Sequence, residues 1–141
     1  MKILVISNSN SPKRDIAHDF RNLGHDVELF LCRPYSRGDF RRSLTENLPG
    51  YTRVSKKISK PIVNRKLKKK IKQYNPDLIL GDKAEMINPE ILEDVPSKKI
   101  LWFPDDPQLF SLGKKLSKGY DAVLTNSKCV LDNYDVPAYF F

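Results

Sequence analysis

Polar side chains that could bind a ligand follow four of the short apolar runs in this 141-residue chain. They lie in segments 7–13, 81–88, 104–107 and 125–128 and offer hydroxyl, amide, carboxylate and ammonium groups. Such groups donate and accept hydrogen bonds, which suits a polyhydroxylated ligand such as a sugar. The residues that we expect to bind it are Ser7, Asn8, Lys83, Glu85, Asn126 and Ser127. Loops are polar because they are solvated, and solvation explains any single one of these residues about equally well.

The most distinctive of these segments is Pro104-Asp105-Asp106-Pro107. An acidic residue before a proline is a good N-cap, so Asp106 is explained by starting a helix at Pro107. Asp105 has no such structural role. It would lie at the end of a strand, where a carboxylate can act as a general base. We therefore nominate Asp105 first and Asp106 second as catalytic residues.

Several classes of site are not supported by the sequence. Residues 7–10 contain no glycine, and neither a dinucleotide-binding fingerprint nor a phosphate-binding P-loop motif occurs. His18 and His25 belong to no motif with a partner serine, cysteine or set of metal ligands, so no triad or zinc site is indicated. Cys32 and Cys129 form no CxxC motif, and two cysteines fit a reducing cytoplasm. No apolar run is long enough to span a membrane.

Short apolar runs alternate with helical patterns along the chain. The predicted strands are Lys2–Ile6, Val27–Leu31, Asp77–Leu80, Lys99–Phe103, Asp121–Thr125 and Ala138–Phe141. The predicted helices contain Ile16–Leu23, Phe40–Leu48, Pro61–Tyr74, Pro89–Val95, Pro107–Lys118 and Ser127–Tyr134. Apolar strands that each precede a helix indicate a parallel sheet covered on both faces. We predict one doubly wound, Rossmann-like α/β domain over residues 1–141, with a mostly parallel sheet of five or six strands.

The positive charge is confined to one segment. The chain has 25 basic and 17 acidic residues, a net charge of +8. Ten of the basic residues lie between positions 53 and 72, where no acidic residue occurs, and the rest of the chain has 15 basic against 17 acidic residues. The ten are Arg53, Lys56, Lys57, Lys60, Arg65, Lys66, Lys68, Lys69, Lys70 and Lys72.

Three interpretations of this basic segment remain open. The first is a solvated helix surface without a partner. The second is a site that binds an anionic membrane or an anionic acceptor, and the third is a site that binds nucleic acid. Nucleic acid is the least favoured of the three, because only Tyr51 and Tyr74 flank the segment and no aromatic residue lies within it for base stacking.

The chain resembles the N-terminal domain of CgeB-like glycosyltransferases of the GT-B fold. The resemblance lies in three segments, Asp77–Lys83, Leu101–Pro107 (with its sequence W-F-P-D-D-P) and Tyr120–Asn126. Leu23–Val27 is similar to the step between the first helix and the second strand in many GT-B enzymes. Residues 77–141 resemble the family closely and the remainder loosely.

This resemblance implies a function in sugar transfer. The N-terminal domain of a GT-B enzyme mainly receives the acceptor, and a C-terminal domain or subunit binds the nucleotide-sugar donor. That donor half is not part of this sequence, so we expect no transfer by this chain alone. Nothing visible in the sequence requires a metal, and we expect no cofactor besides the nucleotide-sugar donor. We expect a cytoplasmic protein, peripheral at the inner membrane surface.

Two other functions remain as alternatives. One is a stand-alone Rossmann-like module that binds a nucleotide or a partner protein. The other is a nucleic-acid-binding protein that uses residues 53–72.

Overall fold

The computed structural model describes residues 1–8, 13–32, 51–104 and 110–140. Its strands are β1 (Lys2–Ser7), β2 (Asp26–Leu31), β3 (Leu78–Asp82), β4 (Lys98–Trp102), β5 (Ala122–Thr125) and β6 (Ala138–Phe140). Its helices are α1 (Lys13–Asn22), α2 (Tyr51–Tyr74), α3 (Glu90–Glu93), α4 (Phe110–Ser117) and a 3₁₀ helix at Lys128–Asn133. None of the helices in these ranges is long and apolar enough to cross a membrane.

The strands form one parallel sheet in the order β2-β1-β3-β4-β5-β6. From β1 the chain moves to one side to form β2, and then returns to the other side of β1 to form β3. The strand order therefore reverses between β1 and β3, which is where parallel α/β sheets bind ligands. The predicted α/β Rossmann-like fold is confirmed.

Helices cover both faces of the sheet because alternate residues of a buried strand point to opposite faces. One core cluster joins β1 to α2, α3, α4 and the 3₁₀ helix and includes Leu4, Ile6, Val63, Leu67, Leu92, Leu116 and Val130. The other cluster joins the sheet to α1 and includes Ile3, Val5, Ala17, Val27 and Leu80.

Helix α2 is longer than the sequence predicts. The predicted start at Pro61 was wrong, because the helix begins at Tyr51 and contains Pro61 in its interior. Proline there removes one N–H donor, a cost of about 3 kcal/mol that short helices rarely bear. The other end follows the prediction: Asn75 has a φ of 48° and precedes Pro76, which cannot continue the helix. The predicted helix at 40–48 lies outside the described residues.

Candidate ligand site at the carboxyl ends of the strands

Ser7 and Asp82 lie side by side at the carboxyl ends of β1 and β3. Both are fully buried, and the Ser7 hydroxyl donates a hydrogen bond to Asp82 Oδ2 at 3.0 Å. The predicted ends of these strands, at Ile6 and Leu80, were too early. The polar pair continues the strands because each partner satisfies the other's hydrogen-bonding group away from water. Ser7 therefore holds Asp82 in place, and its predicted contact with a ligand stays a prediction.

The chain leaves β3 through a strained turn. Lys83 has a φ of 53° and Ala84 a φ of 26°, in the region that side chains other than glycine rarely adopt. The turn is held by hydrogen bonds from Ala84 N–H to the Asp82 carbonyl at 2.6 Å and from Lys83 N–H to the Trp102 carbonyl at 3.0 Å. Strained residues of this kind cluster at binding and catalytic sites, at a cost of about 1–3 kcal/mol each. The turn carries the half-buried Lys83 and Glu85, two of the residues predicted to bind ligand.

Asn64 of α2 is hydrogen-bonded to the segment that follows this turn. Its side-chain amide donates to the Met86 carbonyl at 2.8 Å and to the Lys60 carbonyl at 2.6 Å. Its Oδ1 atom accepts a hydrogen bond from the Asn88 N–H at 2.7 Å. Asn64 is itself buried, so these bonds cannot be replaced by water without moving the chain. Asn64 is not predicted from the sequence, because a single asparagine among helical residues gives no signal of a partner 22 to 24 residues away.

Beneath the turn, the Tyr120 ring packs directly against the backbone of Gly81. A Cβ atom added at Gly81 would lie 2.2 Å from the Tyr120 hydroxyl oxygen, so any other residue would force the ring or the strand to shift. Within the described part of the chain, this buried hydroxyl has no hydrogen-bond partner. Burial raises the pKa of Tyr120, and the neighbouring Cys32 raises it further. The phenol therefore stays protonated and acts here as a packing group.

Cys32 follows β2 and is also fully buried in this region. Its backbone N–H donates to the Ser7 carbonyl at 2.8 Å. Burial, followed by the negative charge of Asp82, raises the pKa of the Cys32 thiol to about 12. A thiol with such a pKa is not a nucleophile near neutral pH. Cys32 therefore acts here as a buried packing residue.

Asn8 extends the site from the end of β1. It is half-buried, and its Oδ1 atom is inaccessible to water and has no hydrogen-bond partner among the residues that the structure describes. An amide oxygen can accept a hydrogen bond, but this atom is closed to solvent in the described conformation. Because Ser7 is paired with Asp82 in the parallel register, Asn8 and Lys83 are the next residues along the two neighbouring strands.

The end of β5 supplies the second polar segment. The Ser127 N–H donates to Thr125 Oγ1 at 3.2 Å, and the Ser127 hydroxyl lies 3.0 Å from Cys129 Sγ. Ser127 occupies the predicted N-cap position, but its side chain makes no cap hydrogen bond and the helix that follows is 3₁₀. Asn126 is exposed. Since β5 is two strands from β3, about 10 Å separates this segment from the Lys83 turn.

Some of the predicted site residues fall in parts of the chain that are not described. Asp105 and Asp106 lie outside the described residues, as do the side chains of Arg53, Lys56 and Lys57. The described range that contains β4 runs as far as Pro104, two residues beyond the end of this strand. The catalytic nominations therefore stay predictions from the sequence.

The described residues contain no group of three or more histidine, cysteine, aspartate or glutamate side chains placed to hold a metal ion. The strained turn, Asn8 and the polar segment after β5 together form a candidate binding edge, which is the name we keep for residues 8, 83, 85, 126 and 127.

No protein-family model matches this chain, and no curated protein matches it either. The resemblance to CgeB-like glycosyltransferases therefore depends on the sequence segments described above.

Proposed function

We propose that this chain is the acceptor-side domain of a GT-B glycosyltransferase, which moves a sugar from a nucleotide-sugar donor to an acceptor hydroxyl. In this proposal the acceptor lies on the candidate binding edge, at the carboxyl ends of the strands. A C-terminal domain or a separate subunit binds the donor.

The observation that carries the proposal is the strained turn at Lys83 and Ala84, at the point where the strand order reverses. A parallel sheet places its ligand at this point. Strain persists only where the surroundings impose it, and here Asn64 and the Trp102 carbonyl do so. The result is that the backbone of Lys83 is held in a fixed conformation directly after Asp82, which pairs with Ser7.

The residue types suit an acceptor sugar. The Lys83 ammonium donates hydrogen bonds, Glu85 accepts them, and the amides of Asn8 and Asn126 do both. Together with Ser127 these groups would orient a hydroxyl for attack on the donor, and orientation supplies a large part of such catalysis. In the proposal Asp105 removes the hydroxyl proton as a general base, and Asp106 is the second candidate for that role.

A cytoplasmic location belongs to the same proposal. Cys32 and Cys129 are both free thiols. Free thiols, one of them exposed, are typical of a reducing compartment.

Transfer assays test the proposal. This chain and the product of the whole reading frame are each incubated with a panel of nucleotide sugars (UDP-glucose, UDP-galactose, UDP-N-acetylglucosamine and GDP-mannose), and donor hydrolysis and transfer are measured. We expect turnover only in the product that contains a donor-binding domain. Asp105→Asn should abolish turnover, because an amide cannot accept the proton.

Lys83→Gln should raise KM for the acceptor, whereas Lys98→Gln makes the same charge change at the start of β4 and should leave turnover unchanged. Absence of turnover with every donor, in the whole product and with any candidate subunit, would contradict the proposal. The domain would then be a stand-alone binding module.

A further inference from the structure

Helix α2 presents its buried and exposed residues on opposite sides. Val63, Leu67 and Ile71 recur every four residues and pack in the core. Arg65, Lys68, Lys69 and Lys72 are all exposed and stand at positions i, i+3, i+4 and i+7 of the same helix. We call these four residues the basic face. At a rise of 1.5 Å per residue the basic face is about 10 Å long.

The charge of the basic face is not neutralised within the described structure. Helix α2 contains no acidic residue. Glu28 of β2 pairs with Lys70, on the flank of the helix. No described carboxylate forms an ion pair with any residue of the basic face, so four positive charges point toward water.

The surroundings of the basic face distinguish between anionic partners. Base stacking by single-stranded nucleic acid needs an exposed aromatic ring. Tyr74, the aromatic residue at the end of α2, is half-buried: its hydroxyl donates to the Asp26 carbonyl at 2.7 Å, and the Lys2 ammonium lies 5.8 Å from its ring centroid. Its pKa is raised to about 12 by burial and then by Asp26, so its hydrogen bond persists at neutral pH.

An exposed aliphatic residue, Ile62, lies beside the basic face. Ile62 is 37% exposed and lies one turn before Arg65, at spacing i, i+3. A helix that combines several basic residues with an exposed aliphatic side chain suits the interface of an anionic bilayer, where lipid headgroups attract the charges and acyl chains accept the apolar group.

We propose that the basic face is a docking surface for an anionic phospholipid membrane. The surface is presented rigidly, because Val63, Leu67 and Ile71 pack in the core and Asn64 is hydrogen-bonded to residues 86 and 88. This proposal is independent of the proposed sugar transfer and would hold for a domain with another activity.

Vesicle binding tests this proposal. The protein is mixed with large unilamellar vesicles of phosphatidylcholine alone or with about one third phosphatidylglycerol, and the bound fraction is measured by sedimentation. Binding is expected only to the anionic vesicles. Each basic residue near such a surface raises the partition coefficient about fivefold, so Lys68→Gln, Lys69→Gln and Lys72→Gln together should lower it about a hundredfold.

The control variant carries Lys98→Gln, Lys115→Gln and Lys118→Gln, three exposed lysines of β4, α4 and the turn after α4. It makes the same change in net charge and should bind nearly as tightly as the unaltered protein. Equal losses in both variants would show that net charge, not the basic face, drives binding, and would overturn the proposal.

A single-stranded RNA of mixed sequence is the competing probe. If RNA binds and the basic-face variant loses that binding, while anionic vesicles do not bind the unaltered protein, the surface is a nucleic-acid site and the membrane proposal is wrong. Urea midpoints of both variants should match that of the unaltered protein, since every altered side chain is exposed.

Discussion

The contact between Gly81 and Tyr120 leads to a prediction that tests how the candidate binding edge is supported. An alanine Cβ at Gly81 would meet the Tyr120 hydroxyl oxygen at 2.2 Å and two ring carbons at 2.7 and 2.8 Å. Tyr120 is only 4% exposed, so its ring has little room to withdraw. Overpacking of a core costs about 1–3 kcal/mol, and contacts this short place Gly81→Ala near the upper limit.

A second effect opposes the first. Glycine inside a strand is less favourable than alanine by about 1 kcal/mol, because it loses more conformational freedom on folding. The net expectation is a loss of about 2 kcal/mol in the free energy of unfolding. With a urea m value of about 2 kcal/mol/M, the unfolding midpoint should fall by about 1 M.

Tyr120→Phe provides the matched test. It removes the atom that makes the closest contact, and by itself should change stability by less than about 0.5 kcal/mol, since that hydroxyl has no hydrogen-bond partner among the described residues. In the double variant about half of the loss should be recovered, because the ring carbons remain close. Urea unfolding of the unaltered protein, the two single variants and the double variant measures this double-mutant cycle. A neutral Gly81→Ala substitution, or losses that simply add in the double variant, would refute the packing argument.

Three further predictions concern the cysteines, Asn64 and Tyr74. In the native protein at pH 8, iodoacetamide should modify the exposed Cys129 but not Cys32, since the Cys32 thiol is buried and its pKa is about 12. Mass spectrometry of the digested protein measures the labelling of each cysteine, and equal labelling of both thiols would contradict the prediction. Asn64→Ala should cost about 1–3 kcal/mol and speed amide exchange at residue 88, because it leaves part-buried backbone groups unpaired. The exposed Gln73→Ala should stay within about 0.5 kcal/mol in the same unfolding assay, and similar losses in the two variants would count against the role of Asn64. Folding raises the pKa of Tyr74 from 10.0 to about 12, so the protonated Tyr74 hydroxyl stabilises the fold fully below pH 10, and this stabilisation is lost as the pH rises to 12. The difference in the free energy of unfolding between the unaltered protein and Tyr74→Phe should therefore shrink between pH 10 and 12. A constant difference would contradict the raised pKa of Tyr74.

The sequence predicts the fold well because its strands are buried apolar runs. Each of the six predicted strands lies within two residues of an observed one, and the parallel arrangement follows from the helices between them. The misplaced ends have a common cause. Ser7 and Asp82 read as loop residues, because a lone polar residue at a strand end is usually solvated, and only the tertiary structure brings the two together.

The candidate site is predicted less completely. The sequence indicates which loops leave the carboxyl ends of the strands, and Lys83 and Asn8 do lie there. It does not reveal the backbone strain at Lys83 and Ala84, the hydrogen bonds that Asn64 makes to residues 86 and 88, or the contact of Tyr120 with Gly81. Each of these depends on residues at least 20 positions apart in the sequence or on a backbone angle that no residue type announces.

The most direct test of the account is to locate where a sugar binds. Amide ¹⁵N–¹H spectra of this chain are recorded during titration with the methyl glycosides of glucose, galactose and N-acetylglucosamine, up to the solubility limit of each. The account predicts that at least one of them shifts the signals of Asn8, Lys83, Asn126 and Ser127 and leaves those of residues 65–72 unchanged. If no sugar shifts these four signals, or if the shifts lie on α2 instead, the candidate binding edge is not an acceptor site.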